Sequence, residues 1–366
     1  MKILQIIQRS QLRGAEVFAC QLSEALQAKG HEVDVLILFG PPSTVFQFPL
    51  PFLFLEADEK KRLWDFKGYA KLNTIIRKGR YDIIQANAGD TLKYAALSKK
   101  IYRWKSPLIF RNANKISDFI NTTPKKILNS WLMKEVAFVA SVSKECMTDF
   151  QSVYAGFENR ISCLPIGIKA QSTPPYASLE EIGITGKGPF LLHVAGFMPE
   201  KNHLGLVRIF SQLLPSSPGA KLLLIGEGKL KAPIQTLLQE LALDKAILFL
   251  GKRDDVLSIM PCCDALLLPS ITEGLPGVIL ESFASRLLVI ANNTGGIKEV
   301  VIPKQTGWLI NINDERGFVD AIQEALSSDH TSIKNTAFEL VNNEYDINSI
   351  SNRFIHFYEK ALHQHH

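Results

Sequence analysis

The chain has 366 residues, 46% hydrophobic and 21% charged, an ordinary composition for two globular domains of normal size. Its most apolar window, residues 45–55, contains Gln47 and two prolines and falls far short of the roughly 20 residues that a membrane helix needs, so an integral membrane protein is not expected. Charge is uneven: residues 1–170 carry 25 Lys and Arg against 15 Asp and Glu, while residues 171–366 carry 16 against 21, which points the first half toward an anionic neighbour.

Residues 1–7 read as a buried first strand, too short for the apolar core of a signal peptide. A polar loop to Arg13 follows, and Gly14-Ala15-Glu16 opens an amphipathic helix to about Lys29. A second apolar strand spans 33–39. Strand, helix and strand in under 40 residues form a βαβ unit, so a parallel Rossmann-like sheet is expected. Ligands bind such sheets at the carboxyl ends of the strands, which places the Gly14 loop on a binding face. Residues 40–68 are rich in Pro and Phe without clear periodicity and read as a long excursion. Further strands are expected at 80–84, 107–110 and 136–142, the second followed by Arg111 and Asn112, with a helix starting at Ser143. His31 is the only histidine before residue 193, so the first half offers no histidine base.

Between Thr91 and Glu135 stand ten Lys and Arg against Asp118 and Glu135, interleaved with Tyr102, Trp104, Phe110, Phe119 and Trp131. That pattern suits a solvated charged face, an anionic membrane surface or lipid-linked acceptor, or nucleic acid; no nucleic-acid motif accompanies it, and no nucleic-acid partner is expected. The five cysteines, 20, 146, 163, 262 and 263, include no C-x-x-C pair and read as small buried hydrophobes in a reducing cytosol.

Lys169 to Gly188 is rich in Pro, Ser and Gly and reads as a linker. It divides the chain into 1–168 and 189–347, with an amphipathic helix from 348 to 366. The second half opens with a strand at 189–194 and a loop containing Gly196 and Lys201, which suits phosphate: the backbone can approach and the ammonium supplies charge. Gly226-x-Gly228 lacks the third glycine of a dinucleotide fingerprint, where Lys231 stands, and Gly186-Lys187 lacks the rest of a P-loop. A strand from Ile247 ends in a loop holding Arg253. After the apolar run 265–268 comes Ser270-Ile-Thr-Glu273-Gly274-Leu275-Pro276-Gly277-Val-Ile-Leu-Glu281. Pro276 suits a helix start, leaving Glu273 in the loop and Glu281 on the helix, roughly 10 Å apart along an axis that rises 1.5 Å per residue. Free amides at the helix start between them form an anion site. A nucleotide sugar fits: ribose on Glu281, diphosphate on the amides, sugar hydroxyls on Glu273. The same residues also suit a capping box from Ser270 to Glu273, against which Gly274 and Pro276 argue, or two solvated carboxylates. Gly295-Gly296 is expected to open a further helix bearing Glu299.

Glu273 and Glu281 with seven residues between them, followed by Gly295-Gly296 and Glu299, resemble the E-x7-E signature of the retaining family 4 glycosyltransferases of the GT-B fold. Gly14-Ala15-Glu16 and Gly30-His31-Glu32-Val33 resemble that family's opening, with Arg13 in place of a glycine. Gly196 to Asn202 resembles its G-R-x-x-x-x-K-N loop, with Phe197 in place of the arginine. Arg111 and Asn112 stand where many relatives have histidine, and 284–289 departs from A-x-G-x-P-V. The resemblance implies an α/β protein of two Rossmann-like parallel-sheet domains facing a central cleft, the first on the acceptor side, with Arg111 and Asn112 there, and the second holding the donor. It implies transfer of a sugar from a nucleotide-diphosphate donor, by default a UDP-sugar, to a glycan or lipid-linked acceptor in cell-surface polysaccharide synthesis. Glu273 and Lys201 are the expected catalytic pair. Gly14, Arg13, Gly196, Arg253, Gly274, Leu275, Pro276, Gly277 and Glu281 are expected to hold the donor with them. No cofactor and no metal are expected, and the location is cytoplasmic, peripheral on the inner face of the membrane. A nucleotide-sugar epimerase of related fold and a non-catalytic nucleotide-sugar binder are the alternatives.

Overall fold

The computed structural model describes residues 1–44, 46–61, 63–120, 122–169, 176 and 178–365. It forms two compact units, one of 1–169 with 346–366 and one of 170–345. Much of the expected linker lies outside the described residues; from Ser178 onward it forms a single 3-10 turn, Leu179–Ile182.

The first unit alternates strand and helix: β1 (Lys2–Ile7), α1 (Gly14–Ala28), β2 (Glu32–Ile37), β3 (Phe52–Phe54), α2 (Phe66–Gly79), β4 (Ile83–Ala86), α3 (Gly89–Tyr102), β5 (Leu108–Asn112), α4 (Thr123–Met133), β6 (Val136–Ser141), α5 (Lys144–Val153) and β7 (Ile161–Cys163). Its seven strands run parallel in the order β3-β2-β1-β4-β5-β6-β7. Strands β4, β5 and β6 are buried along their whole length, the pattern of a sheet covered on both faces. The 40–68 excursion is not structureless. It supplies edge strand β3, whose Phe52 and Phe54 pack with buried Phe46, and the start of α2, where Asp65 caps the helix by accepting from the Gly68 amide. Alternating Phe–x–Phe is a short strand signal that the surrounding prolines hide.

The second unit contains β8 (Phe190–Val194), α6 (His203–Leu213), β9 (Lys221–Ile225), α7 (Lys231–Glu240), β10 (Ile247–Gly251), α8 (Val256–Ile259), β11 (Ala265–Leu268), α9 (Gly277–Ala284), β12 (Leu288–Asn292), β13 (Trp308–Ile310), α10 (Glu315–Leu326) and α11 (Thr331–Glu344). Its six strands are parallel in the order β10-β9-β8-β11-β12-β13. Gly295-Gly296 opens a 3-10 turn, Gly295–Glu299, rather than the expected helix. The turn after α9 keeps a glycine-like geometry without glycine: Arg286 adopts φ 55° and stacks its guanidinium 4.1 Å from the Phe338 ring. None of the five cysteines is joined in a disulfide among the described residues; Cys20 and Cys146 are buried, but the other three are half-exposed.

The chain returns to the first unit as α12 (Ile347–His365), starting one residue earlier than periodicity suggests. A closed ring of side-chain hydrogen bonds fixes it to the sheet. Gln5 Nε2 donates to Tyr358 Oη (3.2 Å), Tyr358 Oη to Gln85 Oε1 (2.8 Å), Gln85 Nε2 to Asn87 Oδ1 (3.0 Å) and Asn87 Nδ2 to Gln5 Oε1 (2.9 Å). All four residues are buried, and Gln5 faces Gln85 across β1 and β4. Breaking a dry, fully satisfied ring strands its remaining members without water to replace the lost bonds. Tyr358→Phe, which keeps the ring's shape and removes two bonds, is therefore expected to cost about 1–3 kcal/mol, read as a lower guanidinium midpoint at unchanged slope. An unmoved midpoint would show that the ring contributes nothing to docking α12.

Candidate active site

The loop from Pro269 to Pro276 leaves the carboxyl end of β11, a strand flanked by β8 and β12, and segments following those two neighbours grip it. From the β8 side, Asn202 Nδ2 donates to Pro269 O (3.1 Å), and the Glu200 carbonyl accepts from the Ile271 amide (2.8 Å). From the β12 side, Asn292 Nδ2 donates to Pro269 O (2.9 Å) and Thr294 Oγ1 to Ile271 O (2.8 Å). Gly296 N donates to Gly274 O (2.6 Å). Gly295 sits at φ 54°, and a Cβ there would lie 1.8 Å from the Glu273 carbonyl oxygen. The glycine pair is thus a docking surface for the Glu273 loop.

In that loop Glu273 is 5% exposed, and its Oε1 accepts from Lys201 Nζ at 2.6 Å. Lys201 precedes Asn202, which takes φ 54° and caps α6 by accepting from the Gly205 amide. Two sequence-identified residues 72 positions apart are therefore in direct contact. Pro276 sits at the N-cap of α9 in extended conformation without a side-chain cap bond, so the first amides of the helix, at Gly277 and Val278, have no intrahelical carbonyl to meet. Leu275 is buried beside them. Further along the helix, Glu281 is half-buried, and burial pushes its carboxyl up to about 7. No hydrogen bond or ion pair holds its side chain among the described residues.

Phe197, at the position of the family's arginine, turns inward and is fully buried, 4.5 Å from the His203 ring and 5.8 Å from the Phe249 ring. His193 and His203 meet edge to face with their ring centres 4.7 Å apart, and desolvation lowers them to about 4 and about 2; they are neutral packing groups. Gly196 is half-exposed on the same loop. A Cβ at Gly228 would meet the Phe197 backbone at 2.5 Å, so Gly226-x-Gly228 is a packing seat for this loop and not a nucleotide fingerprint. Arg253 holds Asp255 through Nε (2.7 Å) and Nη2 (2.5 Å), which leaves its backbone rather than its side chain for a ligand.

In the first unit, Gly14 is exposed at the open N-terminus of α1, with Arg13 exposed before it. Asn112 and Arg111 differ from the open groups expected. Asn112 is buried and bonds Ser141 Oγ and Cys146 O, both at 3.2 Å, a tie between β5, β6 and α5. Arg111 is 1% exposed, lies over the Phe18 ring at 4.3 Å, and its Nε and Nη1 have no partners; burial lowers it to about 10. Asn202 closes the motif noted in the sequence without a role assigned to it, and Asn292 and Thr294, in the Asn-Asn-Thr-Gly-Gly string, carry no local signal of the loop contacts they make.

Residues 12–172 match the family model for glycosyltransferase family 4, and residues 177–343 match that for glycosyl transferases group 1. The N-acetyl-alpha-D-glucosaminyl L-malate synthase of Bacillus anthracis is 30% identical over 185 residues, 50% of this chain and 48% of that protein. The UDP-Gal:alpha-D-GlcNAc-diphosphoundecaprenol alpha-1,3-galactosyltransferase of Escherichia coli is 24% identical over 274 residues, 70% of each. The chain thus spans between about half and about two thirds of the length of such relatives. Among solved structures, Anabaena HepE in complex with UDP-glucose superposes with a TM-score of 0.86 at 19% identity, covering 98% of this chain and 100% of that one. Sucrose-phosphate synthase from Thermosynechococcus elongatus superposes with a TM-score of 0.85 at 19% identity, covering all of both chains. With both of its units matched and this fold in common, the chain belongs to the family 4-like glycosyltransferases of the GT-B fold.

Proposed function

We propose that the protein is a retaining glycosyltransferase that moves a sugar from a UDP-linked donor to a glycan or lipid-linked acceptor in the assembly of cell-surface polysaccharide. The observation that carries this reading is the Lys201–Glu273 pair, its carboxylate buried, in the loop that leads to the uncapped start of α9, with Glu281, whose side chain has no partner among the described residues, on that helix. Glu281 would accept the ribose hydroxyls. The backbone from Gly274 to Gly277, with Gly196, would receive the diphosphate, and the Arg253 backbone the base. Gly14 and Arg13 remain the first unit's proposed phosphate contacts. The acceptors named for the Escherichia coli and Campylobacter jejuni relatives are undecaprenol-linked, which supports a lipid-linked acceptor and a peripheral position on the cytoplasmic face of a membrane. No described helix is long and apolar enough to cross one.

The chemistry follows from where charge develops. As the bond from the sugar's anomeric carbon to the β-phosphate oxygen breaks, negative charge builds on the leaving diphosphate. Lys201 and the α9 amides are preorganised to meet it, without a metal. The acceptor hydroxyl attacks the same face of the sugar, and its proton passes to the departing phosphate oxygen, so no separate base is required. Glu273 would orient the sugar hydroxyls while holding Lys201 in place.

Two measurements test this. Lys201→Ala should lower transfer by 10²–10³, the usual effect of deleting one such electrostatic contact, and Glu273→Ala should abolish it. Glu273→Gln, which keeps the volume, checks that the loss is not unfolding. UDP release from UDP-sugars with acceptor present, at near wild-type rate in Glu273→Ala, would refute the assignment. The second concerns pH. Because burial raises the Glu281 carboxyl to about 7, the free protein favours its uncharged form; that stability is full below the ordinary carboxylate range and is lost as pH rises through 7. Ribose hydroxyls donate to the ionised form, so UDP affinity should weaken as pH falls below 7, by up to about tenfold per unit. Titration calorimetry at several pH values reads this directly, and Glu281→Gln should bind UDP weakly with that pH dependence removed. A wild-type affinity that stays flat across pH 7 would take Glu281 out of the ribose contact.

A further inference from the structure

Helix α4 is built inside out. Pro124, Ile127, Leu128 and Trp131 recur at the spacing that forms one apolar stripe on a helix, the stripe a globular protein normally turns to its core. Here only Leu132 and Met133 of this helix are buried, while Ile127 is 67% and Trp131 44% exposed. The stripe lines an open apolar groove of about 530 Å³. Trp131 also borders a second cavity of about 1030 Å³, whose wall carries Lys99, Lys100, Arg103 and Lys105 together with the exposed Ile101. The acidic groups on that wall are Asp82 and Glu135, and Glu135 is already paired with Lys100 at 2.7 Å. Lys100 Nζ lies 4.5 Å from the centre of the Trp131 ring, so the cationic and apolar cavities meet at one side chain.

The chain direction fixes where this patch lies. Asp82, Pro107 and Glu135 each come just before β4, β5 and β6, so the cationic cavity sits at the amino ends of the strands, at the end of the first sheet away from Gly14. It is therefore separate from the Gly14 loop.

We infer that α4 and the end of α3 form an interfacial patch that docks on an anionic lipid bilayer, with Ile127 and Trp131 in the acyl boundary and Arg103 and Lys126 among the headgroups. Neighbouring apolar and cationic cavities match a surface whose apolar interior is covered by anionic headgroups. A small soluble anion would leave the apolar stripe unused. A symmetric pairing of two copies would set the same cations against one another. The inference deepens the peripheral placement proposed above and rests on that reading.

The test uses the full chain without substrates. Wild type should sediment with vesicles containing phosphatidylglycerol and not with pure phosphatidylcholine, and high salt should release it. Acyl-brominated phosphatidylglycerol should quench tryptophan fluorescence; Trp131→Phe should remove most of that quenching and Trp64→Phe little of it. Ile127→Asp and the double variant Arg103→Glu/Lys126→Glu should each weaken vesicle binding at least about tenfold at unchanged melting temperature. Failure to sediment with anionic vesicles, equal binding to neutral ones, or quenching that follows Trp64 instead of Trp131 would overturn the inference. UDP binding, measured on the same samples, separates the two readings: lost vesicle binding with intact UDP binding overturns the docking patch alone, and the reverse overturns the transferase reading alone.

Discussion

The geometry of the second unit depends on a strand order, and the Lys201–Glu273 pair is its consequence. Because β11 lies between β8 and β12, the loop leaving it has a neighbour on each side, and both hold its backbone. Asn202 and Asn292 converge on the same carbonyl, that of Pro269, while the Gly295-Gly296 turn receives the chain at Glu273 and Gly274. The carboxylate is thus positioned by a backbone that cannot shift without breaking bonds on two sides. A preorganised charge of this kind pays little reorganisation when a ligand arrives.

What lies beneath the pair sharpens its electrostatics. Phe197, His193 and His203 form a dry aromatic cluster, and the strong desolvation of both histidines keeps them neutral at ordinary pH. An arginine in place of Phe197 would have put a second cation next to Lys201. With phenylalanine there, Lys201 faces Glu273 over an apolar floor that screens less than water does. The loop has packing where the resemblance would place an electrostatic contact, so in the proposed mechanism Lys201 and the amides of α9 would carry more of the charge stabilisation.

Much of this was legible in the sequence, for definite reasons. The apolar runs at 1–7, 33–37 and 265–268 and the helices between them follow simple periodicity, which is why the parallel sheets were readable. The helix at 277 was readable because proline tolerates only its start. What stayed hidden depended on contacts between distant residues. Nothing local in Gln5, Gln85, Asn87 and Tyr358 announces a ring that spans 353 positions of chain. Arg111 reads as a surface cation at a strand end, yet the parity of β5 points it under α1, onto Phe18. The expected helix at 295 failed because Gly295 serves a close approach to Glu273 rather than a helix start. The short strand β3 was masked by prolines that periodicity counts as breakers.

Three features at one end of the second sheet depart from what local folding prefers. In the second unit Asn202 adopts a left-handed backbone, Gly295 admits a carbonyl where any side chain would clash, and Glu281 keeps a carboxyl half out of water with no bonding partner among the described residues. All three belong to segments at the carboxyl ends of β8, β11 and β12 or to the helix that follows. An apolar residue at 281 would relieve the desolvation that holds the carboxyl uncharged, and a relaxed loop would need no glycine at 295. The proposed donor, which would bring hydroxyls to Glu281 and negative charge to Lys201 and the α9 amides, would complete the groups left open there. The raised carboxyl at 281, which the fold itself does not need, is the feature at this end of the sheet that the proposed donor would explain.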